Sequence, residues 1–290
     1  MSFTIEKNII GKILLLLVLL QPLSLLAQEK RALVIGLGEQ EDKSWGKING
    51  DKDVTLVNEI LTNAGYSDII TLINKQATKR NIITSFNTLL SRCNNGDKVY
   101  IHFSGHGQQM DDFNNDESDN LDECWIPYDA YMACCERDNG SRHLTDDEIN
   151  NILHRISNKI GKKGRLLVVV DACHSGDSSR GNDDIAYRGT MDRFYAEEDT
   201  NIYSGDTDKE EWIIVSACRD YQRNAELKTS KGQYGKLTYA LYKMLKQKNN
   251  KTNLELYKDL CNFFDKHRGV LQQTPVIKGV MTEFNITDMF

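Results

Sequence analysis

Two short stretches of this chain carry side chains that could do covalent chemistry. In LLVVVDACHSG an apolar run ends at Asp171 and Cys173 follows, and in YIHFSGHG a second apolar run delivers His106 between two glycines. A thiolate is a strong nucleophile, and an imidazole within hydrogen-bond reach can take its proton and later return it to a leaving amine. The chemistry such a pair supports is acyl transfer through a covalent intermediate. Gly105 and Gly107 let main chain come close to a bound peptide, and the N–H groups of Gly107 and Cys173 are the candidates for holding the oxyanion that forms. On an extended chain neighbouring side chains point to opposite faces, so His174 is not the base for Cys173, whereas Asp171 shares its face. A carboxylate in that place favours a cationic side chain beside the scissile bond.

Both stretches must end strands of one sheet for this chemistry to assemble. RALVIGLG reads as a buried strand, residues 53–64 as a helix with Val54, Val57 and Leu61 on one face, DIITLI as a second strand and residues 78–93 as a second helix. DKVYIHFSGHG is a strand stopping at Gly105. Residues 110–123 lack an apolar period and read as a loop, and LTDDEINNILHRI starts a helix with Thr145 and Glu148 as its capping box. Residues 166–170 form the strand before the thiol. The polar, charged stretch 178–211 reads as an exposed connection carrying Arg180, Arg188 and Arg193, a setting that invites cleavage. WIIVSAC, two helices over 234–246 and 254–267, and TPVIKG complete the pattern. Strands alternating with helices argue for an α/β fold, an open and mostly parallel sheet with helices on both faces, whose ligands bind at the carboxyl ends of the strands.

The chain has 290 residues, 40% of them hydrophobic, with 42 acidic against 36 basic residues and a net charge of −6. Without a dense basic stripe, nucleic acid is excluded as a partner class. At the start, Lys7 and Lys12 precede ILLLLVLL, Pro22 interrupts, and Ala27 supplies a small residue, which is the pattern of a secretory signal over 1–27. It is too short and interrupted for a comfortable membrane span. Export, to periplasm, cell surface or medium, follows as the expectation. The remaining 28–290 reads as one domain, with a large segment 28–180, a connection 181–210 and a small segment 211–290. Seven cysteines leave at least one without an intrachain disulfide partner, and no CxxC spacing marks a zinc site.

HFSGHGQQ and VVVDACHSG resemble the histidine and cysteine boxes of caspase-like cysteine peptidases, most closely those of the metacaspases. Animal caspases carry glutamine two places before the cysteine, where this chain has Asp171. The resemblance implies a caspase-like fold, a catalytic dyad of His106 and Cys173, cutting after arginine or lysine, and self-processing. It also implies an acidic pocket made of Asp171, Asp53 in INGDKDV and Ser104, although Lys52 replaces the usual asparagine before Asp53. An acid at position 53 is equally a helix N-terminal residue favoured by the dipole. No cofactor is implied for the chemistry, but calcium is implied as an activator, held by Asp122 in LDECWIPYD and by Asp146 and Asp147 in LTDDE, with Asp177 near a fourth position. Asp112, Asn114, Asp116, Ser118, Asn120 and Glu123 are spaced like an EF-hand loop, but Glu117 stands where glycine is needed. The residues leave two alternatives open: a legumain-like peptidase preferring asparagine, and a non-catalytic secreted calcium-binding module.

Overall fold

The computed structural model describes residues 28–112, 120–174, 186–196, 211–219, 221–247, 250–269, 272–280 and 283–290. Residues 1–27, where a secretory signal was expected, and Asp177 and Arg180 lie outside these. In chain order the strands are β1 (Lys30–Gly36), β2 (Asp68–Ile73), β3 (Lys98–Ser104), β4 (Gly107–Asp111), β5 (Leu121–Trp125), β6 (Leu144–Thr145), β7 (Arg165–Asp171), β8 (Ile213–Ser216), β9 (Glu226–Thr229), β10 (Gly232–Gly235) and β11 (Val276–Gly279). The α-helices are α1 (Gly50–Asn63), α2 (Lys79–Arg92), α3 (Asp146–Ile160), α4 (Lys236–Leu245) and α5 (Asn253–Lys266).

A central sheet of six strands runs in the order β11-β8-β7-β3-β1-β2, parallel throughout except for β11, which pairs antiparallel with β8 at one edge. The continuous apolar runs seen in the sequence are strands covered on both faces. Leu33, Ile35, Ile101, Phe103, Val168 and Val170 join residues of α2 and α3 in one buried cluster. The alternate residues Ala32, Val34, Leu167, Val169 and Val215 join α1, α4 and α5 in another. Each such fully buried aliphatic side chain contributes about 1.5–3 kcal/mol. The capping box expected for α3 is formed, with the Glu148 amide donating to Thr145 Oγ1 and the Thr145 amide to Glu148 Oε2.

Three segments differ from the sequence reading. Residues on either side of 113–119 form the hairpin strands β4 and β5 within a small three-stranded sheet, where a loop was expected. A second hairpin, β9–β10, precedes α4, which starts two residues later than its periodicity suggested. The connection is not simply exposed: Arg188 and Phe194 are both fully buried. Phe194 fills a third apolar cluster with Trp45, Met110, Cys124, Ile126 and Ala130, so residues 186–196 are held by long-range packing that their polar composition hides.

Candidate active site

The register of the central strands sets up the chemistry. Ser104 of β3 pairs with Asp171 of β7, and the Gly105 amide donates to the Asp171 carbonyl at 3.4 Å, so the two chains continue side by side and place His106 and Cys173 at matching positions beyond the strand ends. His106 is fully buried, its ring 5.0 Å from that of Trp45. Its Nε2 lies 2.7 Å from the Gly46 carbonyl oxygen. A carbonyl can only accept, so Nε2 carries the proton and Nδ1 keeps the lone pair. Nδ1 has no hydrogen-bond partner among the described residues. Burial pushes the imidazole down to about 4, with Arg188 adding to the effect and the Gly46 carbonyl opposing it. His106 is therefore a neutral base with its acceptor nitrogen available.

Cys173 is buried, its Sγ donating to the Gln222 carbonyl and lying 2.9 Å from Cys218 Sγ. None of the seven cysteines forms a disulfide. The Cys173 amide donates to the Arg188 carbonyl at 2.8 Å. One of the two expected oxyanion donors is thus engaged with a carbonyl of the chain itself. Gly107, the other, sits against the main chain of Cys173, where a Cβ would come within 2.6 Å of the Cys173 carbonyl oxygen.

Arg188 accounts for the acidic residues. Residues 186–188 add an antiparallel strand to 224–226: the Arg188 amide donates to the Asn224 carbonyl at 2.9 Å, and the Glu226 amide to the Ala186 carbonyl at 2.9 Å. From this strand the guanidinium enters a closed pocket. Its Nη2 lies 2.8 Å from Asp53 Oδ2 and 2.9 Å from Glu226 Oε1, its Nη1 donates to Ser104 Oγ at 2.5 Å, and Asp171 Oδ1 lies 3.6 Å away. Asp53, Ser104 and Asp171, the three pocket residues inferred from the sequence, converge here.

Glu226 was not foreseen, and neither were the groups that hold the carboxylates in place. Thr238 donates to Asp171 Oδ2 through both its amide and its hydroxyl, at 2.8 and 2.7 Å, and Asn224 donates to Oδ1 at 2.8 Å. The Gly235 amide donates to Asp53 at 3.0 Å. Gly235 and Thr238 belong to the N-terminal end of α4, whose outward N–H groups and dipole suit two carboxylates. Burial would raise the Asp171 pKa, but Arg188, Asn224 and Thr238 outweigh it and hold the carboxyl below its ordinary value. Asp53 goes the other way, pushed up to about 7 by burial and by the like charge of Asp171, against the pull of Arg188. Burial alone would lower the guanidinium's pKa, yet Asp53, Asp171 and Glu226 keep it above its ordinary value. Four buried ionisable groups coexist because each is paired and hydrogen-bonded.

The carboxylates considered for calcium lie elsewhere. Cys124 of β5 pairs with Thr145 of β6, which brings Asp122 alongside Asp146 and Asp147. Asp122 and Asp147 are buried, and the Cys124 thiol is pushed far up by burial first and then by Asp146 and Asp122. Among the described residues no three His, Cys, Asp or Glu side chains gather as a metal site.

Residues 30–179 match the family model described as metacaspase, peptidase C14 domain. The chain belongs to the metacaspase family of cysteine peptidases. It is 30% identical over 261 residues to metacaspase-2 of Arabidopsis thaliana, spanning 83% of this chain and 59% of that one. Against metacaspase-1A of Aspergillus niger the identity is 33% over 162 residues, 52% of this chain and 36% of the relative. The chain therefore spans about 59% or less of these relatives' lengths. The fold is that of caspase-1 from Spodoptera frugiperda, with a TM-score of 0.56 at 11% identity over 87% of this chain and 86% of the other. A protein of Geobacter sulfurreducens has a TM-score of 0.59 at 23% identity over 86% and 92%. His106 and Cys173 of this metacaspase thus stand on the expected fold. Among its described residues, no helix is long and apolar enough to cross a membrane.

Proposed function

We propose that this metacaspase is an endopeptidase that cuts after arginine or lysine, and that residues 186–190 are its own first substrate, held in the cleft as a plug. The observation that carries this is Arg188: its side chain fills the acidic pocket while its carbonyl sits on the Cys173 amide. That is the placement required of the residue before a scissile bond. Three carboxylates around a guanidinium give no support to an asparagine preference.

In the reaction, the Cys173 thiol gives its proton to His106 Nδ1 and Sγ attacks the carbonyl carbon. The oxygen takes the electron pair and is stabilised by the Cys173 amide. The C–N bond breaks, His106 returns the proton to the departing amine, and a thioester remains. Water, deprotonated by the same imidazole, then releases the acid and the thiol. Every proton is carried by the two side chains, so this cycle calls for no cofactor.

In the chain itself the bond lies between Arg188 and Gly189. Gly189 has φ 154°, and a Cβ there would lie 2.0 Å from the Cys173 carbonyl oxygen, so the plug fits only because this residue is glycine.

Fluorogenic peptides ending in arginine, lysine, citrulline, asparagine and aspartate test the specificity. Arginine and lysine should be turned over and the others left; cutting after asparagine or aspartate with arginine peptides intact would overturn the reading. Mass spectrometry should find a new N-terminus at Gly189 in the wild type and none in Cys173→Ala. Calcium activation is proposed from the family resemblance alone: Asp122, Asp146 and Asp147 are oxygen donors of the kind it takes, but they are not gathered as a metal site here and would have to draw together to hold it. Asp146→Asn should weaken stimulation by added calcium without changing peptide preference. Export is proposed from the leader, and the mature protein should then begin near Gln28.

A further inference from the structure

Behind the acidic pocket lies a buried imidazole that the chemistry leaves unused. His102 is in the middle of β3, flanked in register by Val34 of β1 and Val169 of β7, on a sheet face that is otherwise largely apolar. A valine or leucine would suit that surface. Instead the ring makes two hydrogen bonds: Tyr100 Oη lies 2.9 Å from Nδ1, and Thr238 Oγ1 lies 3.2 Å from Nε2. Tyr100, His102, Thr238 and Asp171 are all buried.

The partners in this row imply an order of protons. Asp171 is ionised and can only accept, so the single hydroxyl proton of Thr238 goes to Asp171 Oδ2, at 2.7 Å. Toward His102 the hydroxyl must then accept, which puts the imidazole proton on Nε2. Burial lowers the His102 pKa to about 4, so the ring carries one proton and Nδ1 is an acceptor. Tyr100, whose phenol is pushed far up by burial, supplies that proton. All three bonds therefore point the same way, from Tyr100 through His102 and Thr238 to Asp171, and bonds so aligned polarise and strengthen one another.

We propose that His102 is a positioning residue for arginine recognition: it aligns the Thr238 hydroxyl on Asp171 Oδ2 and so leaves Oδ1 turned to the incoming guanidinium. In the plugged chain Oδ1 is the oxygen beside Arg188, and Asn224 is its other partner. The inference rests on the arginine-pocket reading. His102 touches neither the guanidinium nor the reacting atoms, so its effect is on recognition rather than on the thiol.

The experiment compares peptides ending in arginine and in citrulline, a neutral isostere, using wild type, His102→Leu and His102→Gln, with alkylation by iodoacetamide as a separate report on Cys173. His102→Leu should raise KM for the arginine peptide and cut the preference over citrulline about tenfold while kcat and alkylation change little. His102→Gln should restore most of the preference, because its amide oxygen can accept from Tyr100 and its N–H can donate to Thr238. Unchanged preference in a folded His102→Leu, or no recovery with glutamine, would overturn the role. Should His102→Leu fail to fold, Tyr100→Phe removes only the first bond and should lower the preference a few-fold; no change there is equally damaging. A wild type that does not distinguish arginine from citrulline would instead sink the pocket reading itself.

Discussion

The dyad and the pocket lie two residues apart on the same pair of strands and are built on opposite electrostatic plans. His106 and Cys173 stand among main-chain groups, a neutral imidazole bonded to the Gly46 carbonyl and a thiol bonded to the Gln222 carbonyl. Two positions earlier, Ser104 and Asp171 border a site with three carboxylates and a guanidinium. A proton shuttle needs an acceptor that is free at rest, and a buried histidine whose imidazole is pushed down to about 4 is neutral and able to accept. Recognition needs carboxylates held in place, which burial permits only when their oxygens have donors. The end of α4 supplies those donors to the pocket.

This contrast is open to experiment, and the largest effect is expected at the dyad. Cys173→Ala and His106→Ala should each lower turnover by about a thousandfold or more, and the double variant should be no worse, because loss of either role stops the whole cycle. Circular dichroism should show both variants folded.

Pocket changes come next. Asp171→Asn should reduce kcat/KM on arginine peptides by roughly a hundred- to a thousandfold. Gly235→Ala should act similarly by obstruction, since its Cβ would lie 2.1 Å from Asp171 Oδ2 and 2.5 Å from Arg188 Nη1. Neither should slow the carboxamidomethylation of Cys173 by iodoacetamide, followed on its own tryptic peptide by mass spectrometry; slowed alkylation there would mean that the two regions are not separable.

Arg188→Gln tests the plug. It leaves three buried carboxylates without their cation, so urea unfolding of the uncut chain should show a loss of about 3 kcal/mol. Peptide cleavage should meanwhile begin without the lag that self-processing imposes. A stable variant with an unaltered lag would place the plug's importance elsewhere.

The smallest effect is in pH dependence, where His106 and Asp53 carry opposite signs. His106 has a folded pKa of about 4 against 6.5 ordinarily, so below 6.5 the unfolded chain takes up a proton that the folded one refuses, and stability falls as pH drops toward 4. Asp53, raised to about 7 from 3.8, binds its proton more tightly when folded, and its contribution is lost as pH rises through about 7. Each slope is at most about 1.4 kcal/mol per pH unit. His106→Gln should flatten the loss of stability between pH 6.5 and 4, and Asp53→Asn should steepen it, as read from thermal unfolding.

Legibility in the sequence followed the same divide. His106 and Cys173 end long apolar runs, and such runs announce strands whatever surrounds them. The family boxes then made Asp53, Ser104 and Asp171 readable as a set. Glu226, Gly235 and Thr238 were not, because ELKT and GQYG are short hairpin strands with no clear alternation, and the partners of the three residues lie 38 to 182 positions away. Arg188 sits in a polar stretch whose composition signals exposure. Only the assembled fold brings it three carboxylates, and burial of a charge that depends on such distant partners leaves no local trace. The acidic run before β5 concealed a hairpin for a related reason: charged residues on strand edges look like loop.

The group that orients His106 belongs to the peptide backbone, the carbonyl of Gly46. Replacing side chains one at a time therefore cannot delete it, and a complete alanine scan would pass over it. The turn around Trp45 and Gly46 could be lengthened or shifted by insertion, and the imidazole would then be free to rotate with every familiar residue still present. An inactive homologue with an intact His–Cys pair should accordingly be inspected in this turn first.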